Sequence, residues 1–287
     1  MGHGTGQINQ SPAQPAGKAI NKKHRIIVSF TTISTRIKYI NPMIHSLFTQ
    51  SLIPDEVYLW ISKEPFLHDA GILPEAIPEK LQKIANFNNS PFKIRYTENT
   101  AGYRKLLPIL EENKNREDVV IITADDDTLY PKWWIARLYT HFLEHQCIIA
   151  YRARKIRNKP DGTLAPYNSW PLLNSWDYCK DLQLCPTGKD GVLYCPAFFD
   201  NRILDPVYKT LSPTRADFWY AGNAIANKIM TVHVPSTKPL PWRKHRKDFP
   251  VIPVPQEVRE KWPELYLSNY PKNDLFAKNV FRHFSII

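Results

Sequence analysis

Between Arg25 and Tyr151 the chain alternates five times between short apolar runs rich in β-branched residues and stretches whose apolar residues recur at helical spacing. The apolar runs are Arg25-Ile-Ile-Val-Ser-Phe-Thr31, Glu56-Val-Tyr-Leu-Trp-Ile61, Phe92-Lys-Ile-Arg-Tyr-Thr97, Asp118-Val-Val-Ile-Ile-Thr123 and Cys147-Ile-Ile-Ala-Tyr151. The first is almost continuously apolar, as a strand covered on both faces must be. Between the runs, Ile37, Ile40, Ile44, Leu47 and Phe48 form a stripe at three- and four-residue spacing, with Pro42 in its first turn or at a break. A short helix over 78–86, a helix carrying Leu106, Leu107, Ile109 and Leu110, and one from Pro131 to about His145 complete the alternation. This order predicts an α/β fold whose mostly parallel central sheet carries helices on both faces. Such sheets bind ligands at the carboxyl ends of their strands.

Past Tyr151 the pattern loosens. Asn158-Lys-Pro-Asp-Gly162 is a turn signal, and Asp190-Gly-Val-Leu-Tyr194 reads as a turn and strand. A helix is expected over 212–229, opened by Pro213, with Thr214 and Asp217 spaced as a capping box. Met230 to Val234 reads as a strand, and Asp274 to Phe284 as a terminal helix. The expected organisation is a disordered leader over 1–24, an α/β half over 25–151, and a second half of the same domain with an irregular C-terminal extension over 152–287.

Composition narrows the partners. The net charge of +11 favours acidic ones: nucleotides, nucleic acid or an anionic membrane surface. Aromatics at 12% suit either a stacking surface or a Trp-rich core. Cys147, Cys179, Cys185 and Cys195 form no CxxC pair, so reduced thiols are expected rather than a structural zinc site. No apolar run approaches the ~20 residues that cross a bilayer, and 1–19 has no apolar core of a secretory signal. These features lead us to expect a cytoplasmic protein, in peripheral contact with the inner membrane face.

The chemistry concentrates at Asp125-Asp-Asp127, directly after Val119-Val-Ile-Ile122. Three adjacent carboxylates repel one another and raise their pKa values unless a cation or solvent compensates them. Mg²⁺ or Mn²⁺ prefers carboxylate oxygens together with substrate phosphates. A solvated Asp-rich turn capping the next helix is the alternative.

A strand ending in Asp-x-Asp after this succession of βα units resembles the GT-A glycosyltransferases. Ser29-Phe-Thr-Thr-Ile-Ser-Thr-Arg36, Ser46-Leu-Phe-Thr-Gln50 and Pro54-Asp-Glu-Val-Tyr58 resemble the opening of bacterial family-2-like members. Ala101-Gly-Tyr-Arg-Lys-Leu-Leu-Pro108, Ile122-Thr-Ala-Asp-Asp-Asp127 and Tyr130-Pro-Lys-Trp-Trp134 resemble their central block. The likeness covers Arg25 to Leu138 well and the rest in patches. It implies a GT-A (Rossmann-like) fold and a divalent-metal-dependent transfer from a nucleotide-diphosphate sugar to a glycan or lipid-linked saccharide. UDP is favoured only as the commonest donor base.

By the same resemblance Thr31, Thr32 and Arg36 would hold base and ribose, Arg36 being otherwise a surface charge. Lys105 would meet the diphosphate or base edge, or else be a solvated helical lysine. Asp125 would contact ribose, donor sugar or metal, Asp127 the metal, and Asp126 the donor. Pro213-Thr-Arg-Ala-Asp-Phe-Trp219 resembles a family segment written Pro-Thr-Ala-Asp-Asp-aliphatic-Trp, with Ala216 in place of the first acid. Asp217 is therefore either the general base of an inverting reaction or a cap of its own helix. Asp190 and Gly191 match a segment lining donor sugar or acceptor, and Asp190 is the next candidate base. His233, His245 and His283 are candidates for a late metal ligand, while Asn273-Asp274 matches a family pair that helix capping would explain. Trp242-Arg-Lys-His-Arg-Lys247 could lean on anionic headgroups.

Three other classes compete. A nucleotidyltransferase acting on sugar phosphates normally has a Gly-rich triphosphate loop after its first strand, and 29–36 contains no Gly. A basic nucleic-acid-binding module leaves the aspartates unexplained, so no nucleic-acid partner is expected. A phosphohydrolase with an Asp nucleophile places its aspartates after the first strand.

Overall fold

A computed structural model describes residues 23–236, 249–252 and 272–287. The Trp242–Lys247 run and His245 lie outside them, as does the leader up to residue 22. The alternation is realised as β1 (Arg25–Thr31), α1 (Asn41–Phe48), β2 (Glu56–Ile61), α2 (Glu79–Asn86), β3 (Phe92–Tyr96), α3 (Leu107–Glu112), β4 (Val119–Asp125), α4 (Trp134–His145) and β5 (Ile148–Ala150). Pro42 stands in the first turn of α1, after a single 3₁₀ turn over Ile37–Tyr39, so the predicted stripe is two pieces. Lys23 and His24, at the end of the expected leader, are fastened to the domain: their backbone amides both donate to Tyr139 Oη on α4.

Then follow β6 (Ala153–Lys155), β7 (Cys179–Asp181), β8 (Leu184–Pro186), β9 (Val192–Tyr194), α5 (Tyr208–Leu211), α6 (Ala216–Ala226), β10 (Thr231–His233) and α7 (Asn273–His283). The eight-stranded sheet has the order β3-β2-β1-β4-β9-β5-β10-β7. β1 to β4 pair in parallel; β9 runs antiparallel between β4 and β5, and β10 lies parallel to β5 with antiparallel β7 beyond it. β6 and β8 form a separate ribbon.

Side chains of a strand alternate between faces, and the two cores follow that alternation. Ile26, Val28 and Phe30, with Val57, Leu59, Val120 and Ile122, pack under α1, α2 and α4. Ile27, Tyr58, Trp60, Val119 and Ile121 pack under α3, α6 and α7. The result is the expected α/β architecture, a mostly parallel sheet between two helical layers. All four cysteines are free, and three of them are buried. Among the described residues no helix is long and apolar enough to cross a membrane.

The predicted helix over 212–229 is realised as α6 alone, shortened to Ala216–Ala226, with the separate short α5 before it. α5 ends at Leu211, and α6 opens at Ala216 without a side-chain cap. Pro213 sits in the connection: the residue before a proline is pushed out of the helical region, and Ser212 has φ −151° and ψ 64°. Nor does Asp274 cap α7: its Oδ1 accepts from the Tyr167 amide at 2.6 Å and fastens that helix to the 167–169 turn.

Candidate active site

The parallel register of β1 and β4 sets Thr31 beside Asp125 at the carboxyl edge of the sheet. Thr31 Oγ1 donates to the Trp60 carbonyl at 2.7 Å, so its hydroxyl locks β1 to β2 and is committed there. Thr32, one residue on, donates from Oγ1 to Asp126 Oδ2 at 2.5 Å. Arg36 pairs with Asp126 and, at 3.1 Å, with Asp127. Lys105, from a 3₁₀ turn over Ala101–Lys105, reaches Asp125 Oδ1 at 3.0 Å. Neither basic residue is a free surface charge: each faces the aspartates.

The turn after β4 is held by its own aromatics. The Asp125 amide donates to Tyr130 Oη at 2.7 Å, and the Tyr130 ring lies 4.0 Å from that of Trp134. Ser46 Oγ accepts from the Tyr130 amide, and Gln50 binds both the Tyr130 carbonyl and the Ile135 amide. The Ser46–Gln50 and Tyr130–Trp134 motifs thus act together as a bracket for the aspartate turn. Segment 249–252 closes over it: the Ile252 amide donates to the Asp127 carbonyl at 2.6 Å, and Phe249 packs on Tyr130, Trp133 and Tyr151.

Two loops from the second half complete the site. Trp134 Nε1 donates to the Asp190 carbonyl at 2.8 Å, and Asp190 and Gly191 adopt φ values of +70° and +101°. A Cβ on Gly191 would lie 2.5 Å from the Trp134 ring, so only glycine allows this approach. Asp217, in the first turn of α6, accepts from the Gly188 amide at 3.1 Å instead of capping its own helix. Gly188 is buried; a Cβ there would run into Lys105 Nζ and lie 3.3 Å from Asp217 Oδ1. Lys105 therefore stands beside both Asp125 and Asp217.

Four carboxylates here, Asp125, Asp126, Asp127 and Asp217, face three cations, Arg36, Lys105 and Arg215. The excess negative charge shows in the titrations. Burial, with Asp127 and Asp125 adding to it, pushes Asp126 up to about 6 against Arg36 and Thr32. Burial also raises Asp217, with Asp125 adding and Lys105 opposing. Burial disfavours the charged Lys105, but Asp125, Asp217 and Asp126 outweigh it and hold the ammonium protonated.

All the predicted site residues on β1, the 3₁₀ turn, β4, the 188–191 loop and α6 gather at this one edge. The late-ligand candidates do not. His233 is buried with its two ring nitrogens 3.0 Å from the carbonyls of Asp177 and Tyr151, so both are turned to the backbone. The His283 ring packs on Trp219 and Phe284. Sequence reading missed Gly188, a lone glycine in no recognised motif. It also missed the buried Arg104–Asp69 pair at 3.0 Å, where Arg104 also donates to the Thr32 carbonyl and Asp69 accepts from the Ser34 amide. Arg104 had a signal, being the cation next to Lys105 in the same motif; Asp69 had none.

No protein-family model matches the chain, and no curated protein matches it. Solved structures do. The structure of S. aureus TarS 1–349 has 15% identity and a TM-score of 0.45 over 75% of this chain and 59% of that one. The same protein in complex with UDP has 14% identity and a TM-score of 0.45 over 91% and 70%. 4-Diphosphocytidyl-2C-methyl-D-erythritol synthase has 11% identity and a TM-score of 0.45 over 85% and 99%. Likenesses this distant carry no functional argument, and the chain spans only 59% of the first TarS structure.

Proposed function

We propose that this chain is a glycosyltransferase that moves a sugar from a nucleotide-diphosphate sugar, UDP-sugar favoured, to a hydroxyl of a glycan or lipid-linked saccharide. One observation carries the reading: a partly buried carboxylate, Asp217, is held by the Gly188 amide next to Lys105 and Asp125 at the sheet edge. This gives a proton acceptor with a raised pKa beside cations able to meet a diphosphate. The acceptor oxygen would bond to the anomeric carbon as the bond to the diphosphate oxygen breaks. The nucleoside diphosphate would leave, and Asp217 would take the hydroxyl proton. Lys105 and Arg36 would meet the negative charge developing on the leaving group. Thr32 and Asp126 hold the β1 loop against the aspartate turn.

The donor set also fits Mn²⁺ or Mg²⁺. The ligands are hard oxygens, and the site carries more carboxylates than cations. Asp125 turns to Lys105 while Asp126 and Asp127 turn to Arg36, so the carboxylates form no closed cage; donor phosphates would complete the shell, as Mg²⁺ commonly requires. Asp127, with Asp125, would hold the ion, which when bound neutralises the diphosphate.

Asp217→Asn tests the base. It keeps the acceptor oxygen for the Gly188 amide but removes the proton acceptor. The rate at saturating substrates should fall by roughly 10²–10⁴, with donor affinity nearly unchanged because the loss lies in the transition state. In the wild type that rate should climb with pH as Asp217 ionises. A decrease below about threefold, inside the ordinary scatter of such contributions, would pass the base to Asp190.

A further inference from the structure

We propose that His141, Glu144 and His145 on α4 form a second metal site, for zinc or another late first-row divalent ion, next to Tyr178 at the edge of the sheet. The three residues fall at i, i+3 and i+4, so they share one helix face. One potential ligand atom from each lies within 4.8 Å of the others, and among the described residues no other trio of His, Cys, Asp or Glu does so. The imidazoles stand parallel, 5.9 Å apart with an interplanar angle of 11°.

The separations are those of ligands around an ion. Glu144 Oε2 is 3.8 Å from His141 Nδ1 and 3.7 Å from His145 Nε2, too long for hydrogen bonds. Tetrahedral zinc ligands at 2.0–2.2 Å stand about 3.3–3.6 Å apart, so the two histidine–glutamate separations are within a few tenths of an ångström of that spacing, and the two histidine atoms lie within 4.8 Å of each other. His141 Nδ1 is buried and has no hydrogen-bond partner among the described residues, which is a lone pair or proton left unsatisfied.

Neighbouring groups agree. The trio occupies the last turn of α4, where the helix dipole favours a cation. Arg137, one turn earlier, stacks on Trp133 and donates to the Pro235 and Ser236 carbonyls, though its charge still acts on His141. Tyr178 Oη is 3.1 Å from His145 Nε2 and comes from the segment entering β7. An ion on His145 Nε2 would take the place of that hydrogen bond. Two imidazoles and one carboxylate select Zn²⁺, Co²⁺, Ni²⁺ or Cu²⁺, whereas the all-oxygen cluster at Asp125–Asp127 selects Mg²⁺ or Mn²⁺.

The test uses the whole chain, stripped with chelator, without nucleotide. Co²⁺ is the spectroscopic probe, and Zn²⁺ is titrated by calorimetry. The wild type should take up Co²⁺ with visible d–d bands and bind Zn²⁺ at this site. His141→Ala/His145→Ala should lose the bands and weaken Zn²⁺ binding by more than the ~10–100-fold that follows loss of an outer hydrogen-bond partner. Glu144→Gln, at a position 64% exposed in its side chain and unable to unfold the helix, should weaken it as well. His141→Cys should restore Co²⁺ binding with a new sulfur charge-transfer band. Chelator-treated variants should melt with the wild type. The proposal is overturned if the wild type shows no bands, or if the bands survive the histidine pair and Glu144→Gln and vanish instead in Asp127→Ala.

Discussion

Asp126 is 8% exposed and lies between two like charges and one guanidinium, and its carboxyl prefers the proton up to about pH 6. In the unfolded chain it releases that proton near 3.8. Between those values the folded state binds more protons than the unfolded one, so Asp126 makes stability fall as pH rises from about 4 to about 6. A shift of this size corresponds to about 3 kcal/mol at most. Asp126→Asn removes the titration and keeps an acceptor for Thr32. Urea midpoints at pH 4.5 and 7 should show the wild type losing stability relative to the variant; a constant gap would show that Arg36 compensates the charge fully. At this scale the sequence was legible where chemistry clusters in a motif: Asp125–Asp127, Lys105 and Arg36 all meet. It was not legible where a role depends on a distant backbone group. Asp217 could cap its helix or serve the site until the Gly188 amide was found on it.

Among the elements, β1 and β4 were readable because burial on both faces leaves no polar alternation to misinterpret. The three-residue strands β7 and β8 were not, since Cys-Lys-Asp and Leu-Cys-Pro lack the β-branched residues that marked β5, β9 and β10 at the same length. β9 was read as a strand, but nothing local reveals that it is inserted antiparallel between β4 and β5. That insertion brings the 188–191 loop to the site, and Gly191 allows its close approach to Trp134. Gly191→Ala combines positive φ with a clash against a fully buried ring. Strain and overpacking each cost about 1–3 kcal/mol, so a loss of at least about 2 kcal/mol is expected. Gly162→Ala is the control: its φ is +81° but nothing lies within 4 Å of the added methyl. It should lose only the backbone cost, about 1 kcal/mol. Equal urea midpoints for the two variants would remove the packing argument.

Across the whole molecule, a chain of net charge +11 gathers four carboxylates at one edge of the sheet and sets Arg36 and Lys105 among them. A phosphorylated ligand is repelled by such a site unless cations screen the acids, which is why the metal and the two basic residues belong to one argument. Two transferase chemistries could use this arrangement, and they differ in the bond that breaks. Glycosyl transfer breaks the bond from the anomeric carbon to oxygen and releases a nucleoside diphosphate. Nucleotidyl transfer breaks a phosphorus–oxygen bond within a triphosphate and releases pyrophosphate. Phosphorus NMR of the chain with nucleotide sugars, and separately with nucleoside triphosphates plus sugar phosphates, reads the two outcomes directly. With Mn²⁺ the expected product is the diphosphate from the nucleotide sugar, by transfer to a saccharide hydroxyl or, more slowly, to water. Asp127→Ala should reduce that rate by roughly 10²–10³, the size of losing one preorganised electrostatic contact, while the fold persists because its side chain is partly exposed. Pyrophosphate appearing from the triphosphate, and equally lost in Asp127→Ala, would keep the site and reassign its reaction.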